Sequence, residues 1–187
     1  MKKLLLVVCG LLLSGSLSAM EVAGVNLSDS AQVGAQPLVL NGAGIRTKWF
    51  FKVYVAALYL PQKQTSGAAI IADERQHRMA LHMLRELSSK KLYGAFSEAI
   101  EMNRTPAELA AMDAQMKQMK QIFDAVNEVK QGDSVTLDYL PGSGTQISVN
   151  GKAFGTIPGG AFNRALLEIW IGNNPVQDDL KKGLLGG

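Results

Sequence analysis

The sequence predicts an α+β protein, an antiparallel sheet with helices packed on one face. Three observations predict it. The chain runs as strands, then helices, then a strand meander, then helices again, with no βαβ repeat that would call for a parallel sheet. The stretch from Asn41 to Leu60 ends in Val53, Val55, Ala57 and Tyr59 on one strand face and Tyr54, Ala56 and Leu58 on the other. Both faces are apolar, so this strand lies inside a sheet covered on both sides. The segment from Leu109 to Val126 places Leu109, Met112, Met116, Met119, Phe123 and Val126 at steps of three and four, a helix laying one stripe on a sheet.

The chain opens Met1-Lys2-Lys3, continues as an apolar run from Leu4 to Leu13, and reaches the small residues of Ser14 to Ala19. That order of basic, apolar and small residues is a secretory signal, cut after Ala19, and the run is too short to span a bilayer. Residues 20–187 then form one domain, exported to the periplasm or beyond, with no transmembrane segment. The single cysteine, Cys9, lies in the leader, so the mature domain carries no disulfide, thiol nucleophile or thiolate metal site. A chain of this size buries roughly 70% of its unfolded surface and can stand on its core alone. Removing Lys2 and Lys3 from the 19 basic residues leaves 17 against 16 acidic ones, a balance that asks for no nucleic acid.

Taken in order, Glu21 to Leu27 reads as a first strand and Pro37 to Leu40 as a second that leads into a glycine turn at Asn41-Gly-Ala-Gly44. Pro61 closes the central strand, and Thr65 or Ser66 caps a short helix through Ala72. Met79 to Leu87 alternates as a further strand, with Arg85 on the face of Met79, Leu81 and Met83. Ser88 or Ser89 caps a helix whose Tyr93, Phe96 and Ile100 share one side. Thr105-Pro106-x-Glu108 is a capping box with proline at the first helical position, opening one helix from Thr105 to Val129. Val135 to Tyr139 and Gln146 to Val149 are strands, and Asn150-Gly151 is a type I′ hairpin turn into Lys152 to Ile157. A helix carries Phe162, Leu166, Ile169 and Trp170 inward, and the last begins near Pro175 with Asp178 and Asp179 early and Lys181 and Lys182 late.

The chemistry visible in the residues is sparse. His77 and His82 lie on one strand with opposite orientation, so they neither chelate nor pair, and no metal or cofactor is expected. The Gly-x-Gly of Gly42 and Gly44 precedes a strand and is not a phosphate loop. Arg46 stands between those glycines and the aromatic run Trp49-Phe50-Phe51. Its guanidinium either reaches water at a sheet edge or meets an anion. The methionine stripe reads either as an adaptable binding face or as helix-on-sheet packing.

The residues Asn41-Gly-Ala-Gly-x-Arg46, Lys52 to Leu60, the helix bearing Tyr93, and Phe162 to Gly172 before Pro175 together resemble the chalcone isomerase-like superfamily, in particular its secreted bacterial branch. The resemblance spans the whole mature chain. It implies an open-faced β-sandwich with a cleft between a large antiparallel sheet and a helix layer, and it places Arg46 and Tyr93 in that cleft. In the fatty-acid-binding relatives the matching Arg and Tyr hold a carboxylate; in the plant enzymes the arginine positions a substrate oxyanion. The rest of the plant enzymes' catalytic set does not carry over. Tyr54 stands in place of a threonine, Ile100 in place of an asparagine, and Ile169 or Trp170 at a late polar position. The resemblance therefore implies a pocket for an apolar carboxylate such as a fatty acid, with Arg46, Tyr93 and Tyr54 as ligand-binding residues and no catalytic residue. An isomerase, and a structural or partner-binding protein without ligand, are the alternatives.

The leader makes a direct prediction: amino-terminal sequencing of protein from the producing cell begins near Met20. Full-length protein retained in the cytoplasm would overturn it.

Overall fold

The computed structural model describes residues 19–187; apart from Ala19, the segment read from the sequence as a leader lies outside them. Seven strands form one antiparallel sheet, in the order β11-β10-β9-β6-β5-β4-β3. These are β3 (Ser30–Val33), β4 (Gln36–Lys48), β5 (Phe51–Leu60), β6 (His77–Met83), β9 (Ser134–Leu140), β10 (Gly144–Val149) and β11 (Lys152–Ile157). Two small ribbons accompany it, β1 (Ala19–Val22) with β2 (Val25–Ser28), and β7 (Leu87–Ser88) with β8 (Glu128–Val129). Six helices complete the described chain: α1 (Gly67–Ala72), α2 (Ser89–Glu101), α3 (Pro106–Ala111), α4 (Asp113–Val126), α5 (Gly160–Ile171) and α6 (Asp178–Leu184). The expected fold class is the one observed.

β5 is an interior strand with both faces covered, as its composition demands. Ala56, Leu58 and Leu60 join the core beneath the helices, which includes Phe162, Leu166 and Trp170 of α5. Val55, Ala57 and Tyr59 join a second core on the opposite face with Leu27, Val33, Leu38 and Leu40. That second core is covered in part by the β1–β2 hairpin. The segment Glu21 to Leu27 is thus two strands rather than one: Ala23 and Gly24 both take positive φ, 51° and 80°, and turn the chain back. On the open face Arg78 and Asp138 form a half-buried, two-pronged ion pair at 2.6 Å.

Several local signals act as their chemistry requires. Thr105 Oγ1 accepts from Glu108 N while the Glu108 carboxylate accepts from Thr105 N, the reciprocal capping box. Asn150 and Gly151 both adopt positive φ, as a type I′ turn needs. Ser66 Oγ caps α1 by accepting from Ala69 N. Others fall differently. The Thr105-to-Val129 segment breaks at Met112 (φ −112°, ψ 18°) into α3 and α4, and α4 ends at Asn127, a left-handed residue beyond which the chain becomes β8. The strand read to Leu87 is β6 and stops at Met83. Ser88 precedes α2 without capping it through its side chain.

The largest departure is at Asn41-Gly-Ala-Gly44, which is not a turn. It lies inside β4, and the chain runs straight through it from Gln36 to Lys48. Gly42, Gly44 and Arg46 pair with Leu58, Ala56 and Tyr54, so all three lie on the helix-covered face. α6 lies on the glycines. A Cβ at Gly42 would stand 2.2 Å from Gly183 O, and one at Gly183 would stand 2.5 Å from Ala43 O. Asn41, left over where the β4–β5 register shifts, donates from Nδ2 to Leu184 O at 2.8 Å and accepts from Gln64 N at 2.7 Å. The glycines are there for close approach of two backbones.

It follows that Gly42→Ala destabilises the fold by overpacking against backbone that cannot rotate away. About 2–3 kcal/mol is expected, a fall in Tm of roughly 5–10 °C for a chain of this length. Gly94→Ala, in α2 with nothing within 4 Å of its Cβ position, should instead stabilise by about 0.5–1 kcal/mol. Thermal melts of both decide it; an unaltered Gly42→Ala melt would show that α6 is not seated in this way.

Candidate functional site

Between the helix layer and the sheet lies a cavity of about 620 Å³. Its apolar wall comes from Leu81 and Met83 of β6, Leu137 and Ile147 of β9 and β10, Phe96 and Ala99 of α2, and Met119, Ile122 and Phe123 of α4. The methionine stripe packs as a helix on a sheet: Met112 and Met119 are buried in the core beneath the helices, and Met119 also lines the cavity.

The charged groups gather at one end. Arg46, Lys48, Arg85, Lys90 and Lys91 line this cavity against a single acid, Glu98. Arg46 is half-buried and held from α6: its Nη1 donates to Gln177 Oε1 at 3.3 Å and to Thr47 O at 2.9 Å. Gln177 also accepts from Thr47 N at 2.8 Å and donates to Ile45 O at 3.3 Å, so the residue preceding α6 is tied to the strand at three points. A guanidinium has five N–H groups, and both of these bonds use Nη1, which leaves Nε and Nη2 of Arg46 for a ligand.

Tyr54 stands opposite Arg46 across the β4–β5 pair and lines the same cavity. Its hydroxyl oxygen accepts from Trp170 Nε1 at 3.0 Å. Burial pushes the phenol above its ordinary value, while the Trp170 hydrogen bond and the Arg46 charge pull the other way. The protonated hydroxyl already accepts from Trp170, and its own O–H has no acceptor among the described residues, so it can donate into the cavity. Val53 is the extra residue where the β4–β5 register shifts a second time, and Val53 and Tyr54 both line the cavity as neighbours.

Arg85 was legible only as a cation on the face of Leu81 and Met83, and it does line the cavity with them. Its guanidinium lies 4.6 Å from the centre of the Phe51 ring, and its buried Nε meets no acceptor among the described residues. Gln177, Lys90 and Lys91 carried no sequence signal for a site.

Tyr93 is placed elsewhere. It is not among the residues lining the cavity; it packs on Phe96 at 6.1 Å and edge-on to Phe123 at 5.6 Å, with Lys120 Nζ 5.9 Å from its ring. The sheet therefore brings Arg46 to Tyr54 and does not bring Arg46 to Tyr93. Its neighbours on α2, Leu92, Gly94, Ala95 and Phe96, do line the cavity. Ile100 is fully buried core, and Ile169 and Trp170 line the cavity wall.

The histidines stand apart from this site. His77 is buried with Nε2 3.0 Å from Asn163 Oδ1, and burial holds its imidazole below the usual range. His82 lies on the other sheet face. Among the described residues no three His, Cys, Asp or Glu are placed to hold a metal ion, and no helix is long and apolar enough to cross a membrane.

Comparison with known proteins agrees with the architecture. No curated protein matches this sequence. Among solved structures, a fatty-acid binding protein of Arabidopsis thaliana, AtFAP1, is similar in fold at a TM-score of 0.69 and 15% identity, over 90% of this chain and 96% of that one. A family model described as chalcone isomerase-like matches residues 19–186, nearly the whole described chain, and the protein therefore belongs to the chalcone isomerase-like family.

Proposed function

We propose that this protein is a non-catalytic carrier of a small apolar carboxylate, such as a fatty acid, held with its chain among the helices and its head at the cationic end of the cavity. The observation that carries the reading is the arrangement of one cavity: an apolar interior of about 620 Å³, within the range of small-ligand sites, that ends in Arg46, Tyr54 and Arg85. A carboxylate there gains charge-assisted hydrogen bonds from groups whose donors are not otherwise used, while its chain leaves water. The fatty-acid binding named for the similar Arabidopsis structure supports the same reading. The leader read from the sequence adds export to the periplasm or beyond.

Isomerase chemistry has little to work with in this cavity. Where the plant enzymes complete a polar network, Ile100 is buried core and Trp170 is engaged with Tyr54. Stabilising an oxyanion requires several donors aimed at one atom, and here the donors beyond Arg46 and Tyr54 are Arg85, seated on the Phe51 ring, and exposed lysines.

The head-group assignment is tested by titrating a fluorescent long-chain fatty acid into wild type and variants, with thermal melts alongside. Arg46→Ala should stay folded, because Thr47 N still bonds Gln177, and should lose roughly 10- to 100-fold in affinity, one charged hydrogen-bond set. Arg85→Ala should lose a comparable factor. Tyr93→Phe, at a residue outside the cavity wall, should bind within about twofold of wild type. Equal affinity for the Arg46, Arg85 and wild-type proteins would remove the carboxylate clamp. Loss at Tyr93→Phe alone would return the site to the position first read from the sequence. Acceleration of chalcone cyclisation in an Arg46-dependent manner would promote the isomerase reading.

A further inference from the structure

The fold leaves an apolar projection that its cores do not use. β4 and β5 are joined by a two-residue turn, Trp49-Phe50, with Lys48 paired to Phe51 and Thr47 to Lys52. Trp49, Phe50 and Phe51 are 85%, 78% and 48% exposed, the first two more than any other large hydrophobic residues described. Trp49 holds φ at 61°, a left-handed conformation that glycine or asparagine ordinarily takes and that strains a bulky side chain. A turn optimised for stability alone would not put tryptophan there.

Charge surrounds the same end. Lys48, Lys52, Arg85, Lys90 and Lys91, together with Arg46, form no ion pair among the described residues, whereas eight other basic side chains do. Lys90 and Lys91 stand in the first turn of α2, which carries no acidic residue. That is the end of a helix where the dipole disfavours cations. Two independent features thus run against local stability, and both face outward beside the cavity mouth.

We propose that the Trp49-Phe50 tip inserts into the interface of an anionic phospholipid bilayer while the surrounding lysines lie against its head groups, setting the cavity mouth on the membrane surface. Aromatic side chains settle at the head-group level, and lysines near an anionic leaflet contribute electrostatic attraction that salt weakens. An apolar tip ringed by unpaired cations is complementary to that surface. The inference does not depend on which ligand the cavity takes.

The experiment is partition of purified mature protein onto vesicles of phosphatidylcholine alone and of phosphatidylcholine with about one-third phosphatidylglycerol. Binding is expected to the anionic vesicles only, and weaker in high salt. Trp49 reports insertion directly: its emission should shift to the blue and be quenched by brominated acyl chains. Trp49→Phe should keep the partition and lose that quenching, which separates it from any signal of the buried Trp170. The double variant Trp49→Ser/Phe50→Ser should melt like wild type and lose at least about tenfold in partition. Lys90→Gln and Lys91→Gln should each lose about fivefold. No binding to the anionic vesicles would overturn the proposal. So would binding unaffected by the serine variants, or a dimer in solution that those variants dissociate. Vesicle binding without fatty-acid binding would preserve this inference and remove the carrier reading; the reverse would do the opposite.

Discussion

At Gly42 and Gly183 two backbones approach so closely that neither residue could carry a Cβ. Much of the site depends on that contact. It lets α6 lie down on β4, where Asn41 fastens its C-terminal end through Leu184 O and Gln177 fastens its beginning to Ile45 and Thr47. Leu180 and Leu184 are buried beneath it, each contributing about 1.5–3 kcal/mol relative to exposure. Because the two chains run in opposite directions, the helix begins level with Arg46. The arginine is the first residue on that face of β4 that the helix does not cover, and Gln177 sets where its guanidinium points.

The motif Gly-x-Gly-x-Arg therefore has a physical meaning other than a turn. The glycines and the arginine share one face of one strand, two residues apart at each step. The glycines seat a helix and the arginine begins the cavity. The sequence showed the glycines, and their ordinary role as turn residues suggested a turn. Their actual reason lies far along the chain, at Gly183 of α6, and nothing local to Gly42 announces it.

What was legible follows the same division. The two apolar faces of β5, the Thr105 capping box and the Asn150-Gly151 turn are settled by neighbours in sequence, and periodicity or capping chemistry reveals them. Arg46 was legible because a charge beside so much apolar surface needs a partner. Tyr93 was placed by resemblance; on α2 Phe96 lines the cavity and Tyr93 packs on Phe123. Tyr54 was the weaker expectation, yet cross-strand pairing puts it opposite Arg46. Pairing of that kind depends on register, and the register here shifts at Asn41 and again beside Val53. The break at Met112 likewise has no glycine or proline to mark it.

Net charge was a poor guide to the electrostatics for a related reason. The near balance of residues 20–187 hides an uneven distribution. Away from the cavity mouth, eight of eleven basic side chains, Arg75, Arg78, Arg104, Arg164 and four lysines, are paired with carboxylates. At the mouth the cations form no ion pair among the described residues, and their summed positive field acts on anything that enters. The start of α6 explains part of that collection, the position of Arg46 and Lys48; Arg85 follows β6, and Lys90 and Lys91 open α2. Beyond Gln177 the sheet continues through Lys48 into the Trp49-Phe50 turn, past the start of α6. The same termination that opens the cavity therefore leaves the hairpin tip and its neighbouring cations facing solvent. The uncovered Arg46 and the aromatic projection are two consequences of where one helix starts.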